Sequence, residues 1–219
     1  MSSSVLAGLT LLVLGESHMS LQNHLTEPLN AALVAKGANV HSIGACGASA
    51  ADWLVTKKVD CGAVQDGNGK LVLKGSGATT TPIKDLIAQK KPDVVVLVIG
   101  DTMASYDKPA FPKAWAWQSV TNLTKAIAAT GTKCVWVGPA WGKAGGKYKK
   151  NDPRTQLMSQ FLAANVAPCT YVDSLKMSKP GQWVTTDGQH FTVAGYKAWG
   201  NAIAEAMSKL PAASLKGGK

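Results

Sequence analysis

The chain has 219 residues, enough for one domain with a full core. It is 46% hydrophobic and 16% charged, which excludes a disordered chain. Its formal net charge is +10, yet Arg154 is the one arginine among 23 basic residues; such a diffuse lysine field suits solubility or steering toward a polyanion and fits base-edge reading of nucleic acid poorly.

No apolar stretch is long enough to span a membrane. Val5 to Leu14 is apolar, but no basic segment precedes it and it runs straight into Gly15-Glu16-Ser17. It therefore reads as a first strand, over residues 9–14, of a mature or trimmed chain rather than as a signal peptide. From Met19 to Ala35, Leu21, Leu25, Leu29, Ala32 and Leu33 recur at helical spacing, with Pro28 as an interruption or bend and Gly37 as a stop. Asn39 to Ile43 reads as a second strand. Residues 44–50 are small enough for a loop that lets a ligand approach the backbone closely.

Residues 62–78 read as an inserted hairpin turning at Gln65–Gly69. Asp85 to Lys90 suggests a short helix. Asp93 to Ile99 is the clearest buried strand and ends in Gly100-Asp101-Thr102-Met103. A helix follows over about 113–130, then a strand over 133–137. Residues 142–151 form a loop rich in glycine and lysine (Lys143, Lys147, Lys149, Lys150). Another helix opens at Pro153, a fifth strand covers 169–172, and a last helix runs from about Val193 to Lys209, before a tail, 212–219, expected to fray. Strands alternating with helices predict a single α/β domain over 1–219 with a five-stranded parallel sheet.

The four cysteines match no zinc-ligand spacing. Their even number allows two disulfides, with Cys46–Cys61 and Cys134–Cys169 the favoured pairing. That pairing points to an oxidising compartment such as the periplasm; the other reading is four buried thiols in the cytosol. No cluster of His, Cys, Asp and Glu suggests a metal, and no cofactor is expected.

Two segments carry chemistry. Ser17 follows the first strand, and Asp187-Gly188-Gln189-His190 lies far downstream. Serine becomes a nucleophile when an imidazole takes its proton, and a carboxylate fixes the imidazole's tautomer. Each such segment lies at a strand's carboxyl end or before a helix, where sites assemble in open α/β sheets.

With Gly47 in Ala45-Cys46-Gly47-Ala48-Ser49 and Gly100-Asp101-Thr102-Met103 between them, these blocks resemble the SGNH (GDSL-like) hydrolases. That superfamily of esterases, lipases and carbohydrate acetylesterases has four such blocks along nearly the whole chain. Glu16 stands where Asp is commoner, and the third block departs from Gly-x-Asn-Asp. The fourth, extended by Phe191-Thr192 and Gly195-Tyr196, matches closely. The resemblance implies a three-layer α/β/α, flavodoxin-like fold. It implies Ser17 as nucleophile, His190 as base and Asp187 as orienting acid. It also implies an oxyanion hole from the amides of Ser17 and Gly47 and from Thr102 in place of the usual asparagine.

Three further residues are candidates for substrate contact: His18, beside the nucleophile, and Trp141 and Trp183 in loops at the same face. The alternative for His18 is an exposed histidine at a helix start; for the tryptophans it is loop packing. His24 and His41 show no evident partner. Loop tryptophans beside a lysine-rich loop favour an acetylated polysaccharide or glycan, an acidic one included, over a long acyl chain. The expected activity is removal of short acyl groups from such a glycan. Its rivals are O-acetyl transfer to an exopolysaccharide or cell-wall sugar, and a catalytically weak glycan-binding subunit. The expected location is the periplasm or outside the cell.

Overall fold

A computed structural model describes residues 4–216. Its centre is a seven-stranded sheet in the order β4-β3-β2-β1-β5-β6-β7. The strands are β1 (Thr10–Gly15), β2 (Asn39–Ala45), β3 (Gly62–Asp66), β4 (Val72–Lys74), β5 (Val94–Val98), β6 (Lys133–Val137) and β7 (Thr170–Val172). The five expected strands are present and parallel to one another. The count rises to seven because the inserted hairpin is not a detached arm: β3 pairs antiparallel with β2, and β4 with β3. The hairpin thus extends the edge of the parallel sheet.

The central strands are buried on both faces, and their alternating side chains feed two cores. Leu12, Leu14, Val95, Leu97 and Trp136 point to one face. There they meet α2 (Ile83–Lys90), α4 (Lys113–Ala128) and α5 (Asp152–Asn165) through residues such as Leu86, Leu123 and Leu162. Leu11, Val13, Val94, Val96 and Val135 point to the other. There they meet α1 (Thr26–Ala35) and α6 (Val193–Ser208) through Leu29, Leu33, Trp199 and Ile203. A four-residue helix, α3 (Asp101–Ala104), follows β5.

Two elements differ from expectation. The helix expected from Met19 starts only at Thr26, because Ser17–Met19 is a tight 3₁₀ turn and residues 20–25 form further turns. Pro28 therefore sits in the first turn of α1, where its missing N–H costs nothing. The tail does not fray at 212: Ala212–Ser214 makes a 3₁₀ turn and Leu215 is buried in the second core. Residues 217–219 of that tail lie outside the described residues.

Both favoured disulfides are formed. Cys46–Cys61 has its Cα atoms 5.2 Å apart and ties the loop after β2 to the residue before β3. Cys134–Cys169 joins β6 to the start of β7, at 4.6 Å. Such bonds persist in oxidising compartments.

Candidate active site

The sheet delivers the functional segments to one end. Ser17 follows β1, Gly47 follows β2, Gly100–Thr102 follow β5, and Asp187–His190 precede α6. The Ser17 hydroxyl lies 2.8 Å from His190 Nε2. His190 Nδ1 lies 2.7 Å from Asp187 Oδ2. The other carboxylate oxygen, Oδ1, accepts the backbone N–H groups of Gln189 and His190 at 2.9 and 2.8 Å. A carboxylate with one oxygen fixed by amides and the other on Nδ1 assigns the Nδ1–H tautomer. Nε2 is then free to accept the serine proton. Burial alone would raise the Asp187 pKa, but the hydrogen bonds from His190 and Gln189 outweigh it and hold the carboxyl below its usual value, hence ionised.

These residues line a cleft of about 650 Å³. Gly47, at φ +69, lines it too. That left-handed conformation favours glycine. The N–H groups of Ser17 and Gly47 have no hydrogen-bond partner among the described residues. They are the donors available to a developing oxyanion.

Thr102 lines the cleft but is not free to donate. Its hydroxyl gives its single proton to the Ala48 carbonyl at 2.9 Å, and its N–H donates to Glu16 Oε2. The expected third oxyanion donor is therefore committed elsewhere. Glu16, fully buried, also accepts the N–H groups of Gly100 and Asp101 at 3.0 and 2.9 Å and so caps α3. Burial, then the charge of Asp101, push the Glu16 carboxyl upward against the pull of these amides.

His18 is not exposed, and it lies outside the cleft lining. It is 2% exposed, with Nε2 on Asp101 at 2.8 Å and Nδ1 on the Tyr196 hydroxyl at 3.0 Å. Burial lowers its pKa to about 4, against the pull of Asp101, so the ring is neutral near pH 7. Asp101 also accepts from Tyr106 and from Lys150 at 2.6 Å each. Lys150 is the buried member of the lysine-rich loop, whereas Lys143, Lys147 and Lys149 are exposed and lie outside the cleft lining.

Neither tryptophan candidate lines the cleft. Trp141 donates its indole N–H to the Leu175 carbonyl, and Trp183 packs edge-on against Phe191. The aromatic walls are Tyr148, edge-on to His190 at 5.1 Å, and Tyr106. His24 also lines the cleft, its ring 5.6 Å from that of His190 and its Nδ1 3.0 Å from the Ser17 carbonyl. The sequence shows no partner for His24 because the apolar spacing runs the helix back to Met19, whereas α1 starts at Thr26 and the turns over 20–25 bring His24 onto Ser17. His41, the other histidine without an evident partner, pairs with Asp66 across β2 and β3. No group of three or more metal-ligating side chains occurs among the described residues.

The loop carrying Tyr148 also braces the Asp187–His190 turn. Lys143 N donates to the Gly188 carbonyl at 2.8 Å and Lys147 N to the Asp187 carbonyl at 3.0 Å. Glycines meet at this contact: a Cβ on Gly146 or Gly188 would collide with the opposite backbone.

No protein-family model matches the chain. Among solved structures it is similar to a DUF4886 family protein from Bacteroides uniformis, at a TM-score of 0.63 and 15% identity over 96% of this chain and 87% of that one. A GDSL-like lipase from Bacteroides thetaiotaomicron superposes at 0.59, with 13% identity over 91% and 88% of the two chains. The acetyl xylan esterase AlAXEase superposes at 0.58, with 14% identity over 91% and 98%. These likenesses show the fold. Among curated proteins, protein BcsX of Komagataeibacter xylinus is 40% identical over 207 residues, covering 93% of this chain and 78% of the relative. The chain belongs to the family of BcsX, and its fold is that of the SGNH, or GDSL-like, hydrolases.

Proposed function

We propose that this protein is a serine esterase that removes acetyl or other short acyl groups from a glycan through an acyl-enzyme on Ser17. The observation that carries the proposal is the continuous relay from the Ser17 hydroxyl through His190 to Asp187. The serine oxygen attacks the ester carbonyl as His190 Nε2 takes its proton. The N–H groups of Ser17 and Gly47 hold the oxyanion. His190 returns the proton to the departing sugar hydroxyl, and the acyl group stays on Ser17. Water, deprotonated by the same nitrogen, then releases the carboxylic acid and restores the serine. Asp187 keeps its charge throughout and steadies the imidazolium.

An open, aromatic-walled cleft suits a sugar, since Tyr106 and Tyr148 offer both apolar ring faces and hydroxyls. The fold it shares with an acetyl xylan esterase is consistent with that class. The cleft lining contains no lysine or arginine, and besides Asp187 on His190 and the buried Asp101, paired with Lys150, it carries the exposed Asp60 and Asp107. That polarity favours a neutral glycan over an acidic one, despite the positive surface elsewhere. The two disulfides suit a periplasmic or secreted location.

The test is hydrolysis of an aryl acetate and of acetylated neutral and acidic oligosaccharides by wild type and Ser17→Ala. The expected outcome is acetate release from the neutral substrates, lost in Ser17→Ala, with labelling of Ser17 by a fluorophosphonate. Appearance of the acetyl group on an added oligosaccharide, with little free acetate, would instead assign a transferase working through the same acyl-enzyme. No turnover and no labelling would leave a glycan-binding subunit and defeat the proposal.

A further inference from the structure

The loss of Thr102 as an oxyanion donor has a counterpart in what its hydroxyl does. On the esterase reading two amides make up the hole, and they follow different strands: Ser17 comes after β1 and Gly47 after β2. Gly47 has a left-handed φ, and a Cβ there would meet nothing within 4 Å, so no side chain could anchor this position. Its neighbours are tethered instead. The Cys46 N–H donates to the Cys61 carbonyl at 2.8 Å, and the Cys46 side chain is bonded to Cys61. On the other side, Ala48 has its carbonyl on the Thr102 hydroxyl. Beyond it, the Ser49 N–H and hydroxyl are held by Asp52.

Thr102 is itself held by the residue that precedes the nucleophile. The Glu16 carboxyl group accepts the Thr102 N–H at 2.9 Å, alongside those of Gly100 and Asp101. A continuous chain of contacts therefore runs from Ser17 through Glu16 and Thr102 to Ala48 and Gly47. We propose that Thr102 is a positioning residue: with Glu16 it sets the distance between the Ser17 and Gly47 amides, so that two backbone donors and a fixed spacing replace a side-chain donor. The inference rests on the esterase reading above.

The cost of losing this spacing should fall on turnover rather than on substrate affinity, because an oxyanion forms only after attack. Thr102→Val, which keeps the shape and removes the hydroxyl, is expected to lower kcat about 10- to 100-fold with KM little changed. Thr102→Ser should restore most of the rate. A double-mutant cycle separates positioning from direct donation. If Thr102 and the disulfide both act through Gly47, the losses in Thr102→Val and Cys61→Ser combine to less than their product. Independent, multiplying losses would mean direct donation and overturn the proposal, as would wild-type kcat in Thr102→Val.

Hydrogen exchange at the Ala48 amide, which donates to the Ala45 carbonyl at 3.2 Å, reads the tether in the resting protein. It should speed up in Thr102→Val and not in Thr102→Ser; unchanged exchange overturns the proposal whether or not turnover is found. Absence of turnover and of Ser17 labelling in the wild type would defeat the esterase reading and leave this structural readout standing.

Discussion

The Lys150 ammonium lies 2.6 Å from the Asp101 carboxylate, and the side chains of both are 1% exposed. Buried charges demand partners, and Asp101 has three: Lys150, His18 and Tyr106. Lys150 is also the anchor of the loop that places Tyr148 on His190 and braces the Asp187 turn. One ion pair thus links α3 to the loop that shapes the base.

Removing one side of this pair leaves an uncompensated buried charge. Lys150→Met should lower stability by roughly 3–5 kcal/mol in urea unfolding. It should also lower kcat more than a surface change such as Lys149→Met. Lys150→Met combined with Asp101→Asn should recover part of the stability, since no charge is then stranded.

Ser17→Ala and His190→Ala should each reduce turnover of an aryl acetate by about 10⁴-fold or more, and together by little beyond the larger single loss. Asp187→Asn should also be severe, because an amide cannot fix the Nδ1–H tautomer in the same way. Thermal unfolding of Ser17→Ala should stay close to wild type, showing that the loss is chemical.

The burial of His18 makes a pH prediction. Its folded pKa is about 4, below the ordinary 6.5, with burial the main cause. The groups around it are Asp101, Tyr196, His190 and Lys150. The depressed value means that the unfolded chain binds the proton more readily. His18 therefore costs nothing above pH 6.5, and its contribution to stability is lost as pH falls toward 4, by about 3 kcal/mol. Urea unfolding across that window should show a slope that a His18→Gln variant reduces.

The disulfides close loops with sequence separations of 15 and 35 residues. Chain-entropy reasoning gives each a stabilisation of about 3–4 kcal/mol. Non-reducing mass analysis should find no free thiol in the folded protein. Cys134→Ala/Cys169→Ala should lower stability with kcat nearly unchanged, whereas loss of Cys46–Cys61, which borders the cleft, should lower both.

Tyr148→Ala should raise KM for an acetylated oligosaccharide about 3- to 10-fold. Trp141→Ala and Trp183→Ala should leave KM unchanged and cost stability, on the order of 2 kcal/mol each. A rise in KM in the tryptophan variants would return them to the cleft.

The parallel sheet was legible from strands that alternate with helices, and most plainly from the apolar runs of β1, β5 and β6, which are buried on both faces. Ser17, Asp187 and His190 were legible as types: few residues can supply a nucleophile, a base and a carboxylate, and the structure brings these three together. The contacts of the remaining polar groups were not. Nothing local marks Lys150 as the buried lysine of its loop, because burial there depends on Asp101, 49 residues away. The roles of Thr102 and His24 likewise turn on a rotamer and on where α1 begins. Periodicity overran that boundary, since Leu21 and Leu25 keep the helical spacing through a stretch that forms turns.

The order of these pieces along the chain has a consequence for the protein's own making. A ribosome releases Ser17 early and His190 only after another 173 residues. Until then the serine is an ordinary alcohol, with no base to draw off its proton and no braced loop above it. Every strand of the described sheet is made before His190. A product truncated before Asp187 would carry Ser17 without the imidazole and carboxylate that stand beside it in the folded protein.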